Sequence, residues 1–317
     1  MGRYLIRRLL QFVPVFFGAT LLIFFLVFAM PGDPIRALGG ERSMPDSVRT
    51  ALRNEYNLDD PFFVQYGKYL GVVPDGEDGL SGIIQGDFGT DFRRRPVWDI
   101  MKQRIPNTAR LAIGAFIFEA FLGLIAGIMA GIRKNSFIDN LVLVSTIVVI
   151  SIPIFVLGFI AQLLVGVELK WLPVAGTRAG WQSFVLPSIV LGSVSLAYIA
   201  RLTRTSLVEN LRADYVRTAT SKGLTRGRVV GVHAMRNSLI PVVTFLGVDL
   251  GNLMGGAIIT ETIFNIPGVG REVFVATLRQ EGSVVVGIVT FLVIVYVVSN
   301  LLVDVFYAVL DPRIRYD

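Results

Sequence analysis

Long uninterrupted apolar stretches dominate the pattern along this chain, and the polar segments between them are of very unequal length. A helix crossing hydrocarbon needs about 20 apolar residues. Six segments meet that requirement: Leu9 to Met30, Leu111 to Ile132, Leu141 to Val167, Phe184 to Ala200, Ser238 to Thr260, and Ser283 to Val303. Pro14, Pro153 and Pro241 fall inside or near the ends of three of them. Membrane helices tolerate this because neighbours satisfy the freed carbonyls. The pattern predicts an all-α integral membrane protein of six transmembrane helices.

The polar segment between the first two helices is too long for a turn. It suggests an extracytoplasmic insertion over residues 32–104, between a first part, 1–31, and a membrane domain, 105–317. Within it, Val48 to Tyr56 and Phe62 to Leu70 read as short amphipathic helices, and Pro74, Asp75, Gly76, Asp78 and Gly79 as turns. The insertion either caps the outer mouth or docks a partner.

Charge orients the helices. Arg3, Arg7 and Arg8 precede the first span, Arg133 and Lys134 follow the second, and Arg313 and Arg315 close the chain. The loop at 201–237 carries eight basic residues: Arg201, Arg204, Arg212, Arg217, Lys222, Arg226, Arg228 and Arg236. The opposite side has Lys170, Arg178, Arg271 and Arg279. The bias predicts both termini in the cytoplasm. Arg93, Arg94 and Arg95 fall on the outer side, in a long loop where the charge rule is weak. The first apolar run is too long for a secretion signal's core and reads as an uncleaved membrane helix.

Composition then narrows the chemistry. Only 17% of the 317 residues are charged, against about 25% in soluble domains. The net charge of +6 is explained by the inside loops and implies no nucleic acid. With no cysteine and a single histidine, His233, disulfides and thiolate or imidazole metal sites are excluded. The phosphate-binding pattern G-x-x-x-x-G-K-[ST] does not occur, nor do H-E-x-x-H or G-x-S-x-G. An enzyme is therefore not expected, and any ATP that drives transport must be hydrolysed by another chain.

The basic loop is the most informative stretch. Asp214 reads as an N-cap. Tyr215, Thr218, Ala219 and Lys222 follow at i, i+3, i+4 and i+7, one face of a short helix. Gly223 is the expected stop, and Lys222 suits the helix's negative end. A second helix starts near Thr225 and runs toward Pro241. Inside the membrane, Glu119 and Asp249 are costly acids that either meet a polar pathway or pair with a partner. Gly247, Gly251 and Gly255, four apart, mark close helix packing in the fifth span, either within this chain or against another subunit. Gly123, Gly127 and Gly131 do so in the second.

These residues also carry a resemblance. The run Asp214 to Leu224, then His233 and Arg236 to Val242, is similar to the cytoplasmic loop of dipeptide and oligopeptide permeases of ABC importers. Gly255, Gly256, Glu261, Ile263, Phe264, Pro267, Gly268 and Gly270 fit the same family. So do Pro31 to Pro34 and Leu310 to Pro312. The broader importer pattern, Glu-Ala-Ala, three residues, Gly, then Ile-x-Leu-Pro, is half met. Arg217-Thr218-Ala219 and Gly223 fit it, while His233 to Arg236 replace its second part. The resemblance spans nearly the whole chain.

It implies a type I ABC importer permease fold and a role as first, B-type, of two different permease subunits in a bacterial or archaeal cell membrane. Two ATPase subunits, holding ATP and magnesium, would dock on the cytoplasmic loops, and an external binding protein would deliver peptide. Asp214, Tyr215, Arg217, Thr218, Ala219, Lys222, Gly223 and Leu224 would couple this chain to an ATPase. No cofactor is expected in this chain. Permeases of this kind also handle nickel complexes, haem or glutathione. A basic loop that binds anionic membrane lipid is the simpler reading of residues 201–237. A stand-alone secondary transporter is the rival of a different class. It would need ion-coupling acids and inverted repeats; two lone acids and no visible repeat weigh against it.

Overall fold

The computed structural model describes residues 2–28, 50, 53, 57, 59–74 and 79–310. The expected helix at Val48 to Tyr56, most of the turn around Asp75, and the Pro31 to Pro34 and Asp311 to Pro312 motifs lie largely or wholly outside them. The described chain is helical: α1 Gly2–Phe28, α2 Phe62–Leu70, α3 Val97–Ile132, α4 Phe137–Ser151, α5 Ile154–Glu168, α6 Gln182–Asn210, α7 Asp214–Ser221, α8 Arg226–Ser238, α9 Ile240–Ile263, α10 Val269–Leu278 and α11 Gly282–Leu310. Helix α5 ends in a π-helical turn over Gln162–Glu168, and α8 contains another over Val229–Ala234. Among the described residues, four helices are long and apolar enough to span a membrane, or up to six if α4 with α5, and α8 with α9, each count as one span.

The expected third span, Leu141 to Val167, is not one straight helix. Its two halves meet at 103°. Pro153 is the cause. Proline disfavours the helical region for the residue before it, and Ile152 is extended at φ −95°, ψ 124°. The junction of α8 and α9, by contrast, bends 46°. The expected short helix Phe62 to Leu70 coincides with α2. Helix α10 falls in what the hydrophobic pattern left as a connection, because ten residues are too short to register as a span.

By chain contacts the protein divides into two units, residues 108–267 with 298–317, and residues 2–107 with 268–297. In the first, α6 is central and packs against α4, α5, α8 and α9. Its core joins Leu111 and Ala115 of α3 to Phe184, Leu186 and Val190 of α6 and to Leu253 and Ala257 of α9. The glycine ladder of α3 faces α6. A methyl group on Gly127 would stand 2.5 Å from the Ala200 carbonyl oxygen, and one on Gly123 2.8 Å from the Ile199 side chain. Only glycine allows helices this near, which is the small-residue packing the spacing suggested.

In the second unit, Ile83, Phe88, Val97, Met101, Val273, Val284 and Ile288 form the core. Helix α2 lies against α1 through the buried Phe24, which meets the rings of Phe62, Tyr66 and Tyr69. The Tyr69 hydroxyl pairs with Thr290 of α11.

Candidate functional site

The basic loop folds as a helix on a hydrophobic seat. Ala213, extended at ψ 151°, sets the start of α7, so Asp214 is its first residue rather than its cap. An acid in the first turn still suits the positive helix end. The stop forms as the sequence predicts. Gly223 is left-handed at φ +77°. Its N–H donates to Thr220 O at 2.9 Å and the Leu224 N–H to Ala219 O at 3.4 Å. This paired closure is the Schellman arrangement, completed by an apolar contact after the glycine.

The faces of α7 differ from the predicted ones. Val216 and Ala219 are buried, packed with Leu207 of α6 and Val229 and Ala234 of α8, with Leu224 and with Ile128 and Ile132 of α3 around them. Ala219 and Leu224, expected to meet an ATPase, are turned inward. The alternation of burial along α7 explains this: its two apolar positions are three apart, and both seek the same core. Asp214, Tyr215, Arg217, Thr218, Lys222 and Gly223 are exposed. The hydroxyls of Thr218 and Ser221 bond back to the carbonyls of Asp214 and Arg217. Tyr215 donates to Asn210 Oδ1, whose amide in turn donates to the Ser206 carbonyl. The outward face is therefore polar, basic and held in place.

A second strut, which the sequence did not single out, stands in the same unit. Arg204 of α6 grips Asp139 of α4 through two hydrogen bonds of 2.8 Å. The Asn135 N–H adds a third bond to the same carboxylate, and Ser136 caps α4. Asp139 is buried, so it fixes the 133–136 loop against α6. Such a pair, 65 residues apart in sequence, leaves no local periodic signal.

The two membrane acids come together. Glu119 of α3 and Asp249 of α9 are both buried, and Asp249 is the acid that Glu119 faces. Among the described residues no N–H or O–H donor reaches either oxygen of Glu119 or Oδ2 of Asp249. Two facing carboxylates repel unless a proton or a cation lies between them. Glu261, which entered the sequence reading only as a motif position, is fully buried and accepts from Thr108 Oγ1 at 2.5 Å.

The glycines of α9 have separate surroundings. Gly247 packs on Val303 of α11, where a methyl would stand 2.6 Å from a side-chain carbon. Gly251 is buried and Gly255 is exposed, with nothing within 4 Å of where a Cβ would lie. The contact at Gly247 is thus made within the chain, while Gly255 presents an open face.

Residues 123–316 match the family described as binding-protein-dependent transport system inner membrane component, and residues 1–112 match its N-terminal component. The chain is 36% identical over 344 residues to a dipeptide transport system permease protein, DppB, of Alkalihalophilus pseudofirmus, covering all of both chains. It is 37% identical to DppB of Escherichia coli K12 over 347 residues, covering 100% of this chain and 99% of that one. The glutathione transport system permease protein GsiC of the same strain is 37% identical over 317 residues, again covering both chains fully. Among solved structures, an inward-facing MetNI methionine ABC transporter superposes with a TM-score of 0.56 at 17% identity, over 67% of this chain and 96% of that one.

Proposed function

The chain belongs to the family of binding-protein-dependent transport system inner membrane components, and on that premise we propose that it is the permease subunit of an ATP-driven importer of short peptides. The observation that carries the reading is the full-length similarity to dipeptide permeases combined with a seated, outward-facing α7. In this reading the chain crosses the membrane six times with both termini in the cytoplasm, and residues 32–104 lie outside. A second permease completes the translocation path. Two ATPase subunits hydrolyse ATP with magnesium, and an external binding protein delivers the peptide.

Helix α7 is the coupling element, and its two faces have separate tasks. Asp214, Tyr215, Arg217, Thr218 and Lys222 meet the ATPase. Val216, Ala219 and Leu224 bind α7 to α6, α8 and α3, so that a push on the outer face moves those helices as a body. Packed cores transmit displacement because they have little compressibility, and the resulting motion is a shift between inward- and outward-open populations. The full-length similarity to a glutathione permease supports a second cargo, itself a tripeptide.

The test is uptake by proteoliposomes holding the complete transporter, with labelled dipeptide and labelled glutathione in parallel. ATP-dependent accumulation of dipeptide is expected. Accumulation of glutathione alone would reassign the cargo. Uptake that persists without ATPase subunits would overturn the reading in favour of a secondary transporter.

A further inference from the structure

Residues 89–97 form a small, tightly fixed turn that displays arginines. Val97 N–H donates to Gly89 O, Asp91 N–H to Arg95 O, and Arg94 N–H to Asp91 O, each at 2.9 Å. The carboxylate of Asp91 is buried at the centre. It accepts from the backbone N–H groups of Arg93 and Arg95 at 2.8 Å and from the Arg95 guanidinium. Arg94 is held at φ +60°, a conformation that residues other than glycine, asparagine and aspartate rarely adopt. Strain of this kind persists only where the surroundings over-determine it, and it concentrates at functional positions.

The charges around the turn are sorted by depth. Glu281 lies within electrostatic reach of Arg279, Asp91, Glu272 and Arg95. Three acids are withdrawn: the side chains of Asp91, Glu272 and Glu281 are 2%, 18% and 17% exposed. The bases face out: Arg95 and Arg279 are 57% and 60% exposed, and Arg93 and Arg94 are exposed beside them. Two exposed acids flank the turn: Asp87, whose carboxylate accepts from the Gly89 N–H and the Ser81 hydroxyl, and Asp99 in the first turn of α3, with Lys102 exposed three residues on. The surface is therefore cationic although its composition is mixed.

We infer that Arg93, Arg94, Arg95 and Arg279 form the docking surface for an acidic patch on the external binding protein. The inference rests on the functional reading above, which puts residues 32–104 outside. A protein partner fits better than lipid for two reasons. The backbone is fixed in one shape, which a lipid headgroup does not need. The anionic field that draws polybasic segments to lipid belongs to the cytoplasmic leaflet, and this turn lies on the other side. Exposed, complementary charge chiefly speeds encounter and sets orientation.

The experiment measures the affinity of the binding protein encoded with the transporter for the complete complex in nanodiscs. The parent is compared with an Arg93→Ala, Arg94→Asn double variant and an Arg93→Lys, Arg94→Lys double variant. Asparagine tolerates positive φ, and both variants leave the Asp91–Arg95 lock intact; an unchanged melting temperature verifies that the turn survives. The neutral variant is expected to bind about tenfold more weakly at low salt, with the difference largely gone at high salt. The lysine variant should recover most of the affinity. Equal affinity of neutral variant and parent at low salt would overturn the inference. So would a loss that appears only in anionic nanodiscs, which would assign the arginines to lipid. Failure of the parent to bind any binding protein would instead overturn the functional reading, and the inference with it.

Discussion

Substitution of Gly223 isolates one physical quantity in the coupling loop. The residue closes α7 at φ +77°, and a Cβ placed on it meets nothing within 4 Å. No clash accompanies a side chain there, so the penalty is purely conformational. For an L-residue in the left-handed region it amounts to about 1–2 kcal/mol. Asparagine visits that region more readily, and a β-branched residue least readily. The expected order of disturbance is therefore Gly223→Asn, then Gly223→Ala, then Gly223→Val. A penalty of about 1–2 kcal/mol is a factor of roughly 5–30 between the closed loop and an opened one. Opening the loop frees the Leu224 N–H from Ala219 O and releases Leu224 from the core beneath α7. The assay is peptide uptake per ATP hydrolysed in proteoliposomes. That ratio should fall slightly for asparagine, several-fold for alanine and further for valine, while the amount of complex in the membrane changes little. Equal ratios for asparagine and valine would refute the reasoning, because the variants would then differ in bulk and branching without any effect of backbone conformation. Lys134→Trp is the matched control: Lys134 is exposed in the loop between α3 and α4, and the ratio should stay near the parent's.

Other expectations follow from the same geometry. Arg204→Ala strands the buried Asp139 and should lower stability by about 3 kcal/mol, read as a drop in melting temperature in detergent; a pairing apolar double variant at both positions should lose less. Gly127→Leu cannot fit where a Cβ already stands 2.5 Å from the Ala200 carbonyl, so little folded protein should reach the membrane, whereas Gly255→Ala should leave the isolated chain's melting temperature unchanged. Burial pushes the Asp91 carboxyl up, but the Arg95 N–H and guanidinium and the Arg93 N–H outweigh it and hold the carboxyl below the usual carboxylate range. Its folded value thus lies below its unfolded value, so the stability it supplies is present above the unfolded value of about 3.9 and disappears as pH falls through the folded one. Asp91→Asn should flatten that acid limb in melting curves taken against pH. The native chain has no cysteine, so Arg279→Cys should react with an impermeant maleimide from outside intact cells and Ser221→Cys only after permeabilisation; the reverse pattern would invert the topology.

Much of this protein was legible in the sequence because the bilayer imposes a one-dimensional rule. An apolar run of sufficient length must be helical, since hydrocarbon offers the backbone no partner. For that reason α9 lies near its predicted bounds and α6 and α11 begin near theirs, although they run on to Asn210 and Leu310; the glycine ladder of α3 and the left-handed Gly223 were likewise visible as local spacing. Tertiary structure decided the rest. Pro153 could be seen in the sequence, but a proline in a membrane helix is compatible with a mild kink or a full break, and only the packing around α4 and α5 chose 103°. Helical spacing groups Ala219 with the exposed Tyr215, Thr218 and Lys222, but it does not say where the boundary with the core falls. Leu207, Val229 and Ala234 made that choice by burying Ala219. The union of Glu119 with Asp249, and the grip of Arg204 on Asp139, join residues 130 and 65 positions apart. No local periodicity encodes such pairs, because they exist only once separate helices have packed.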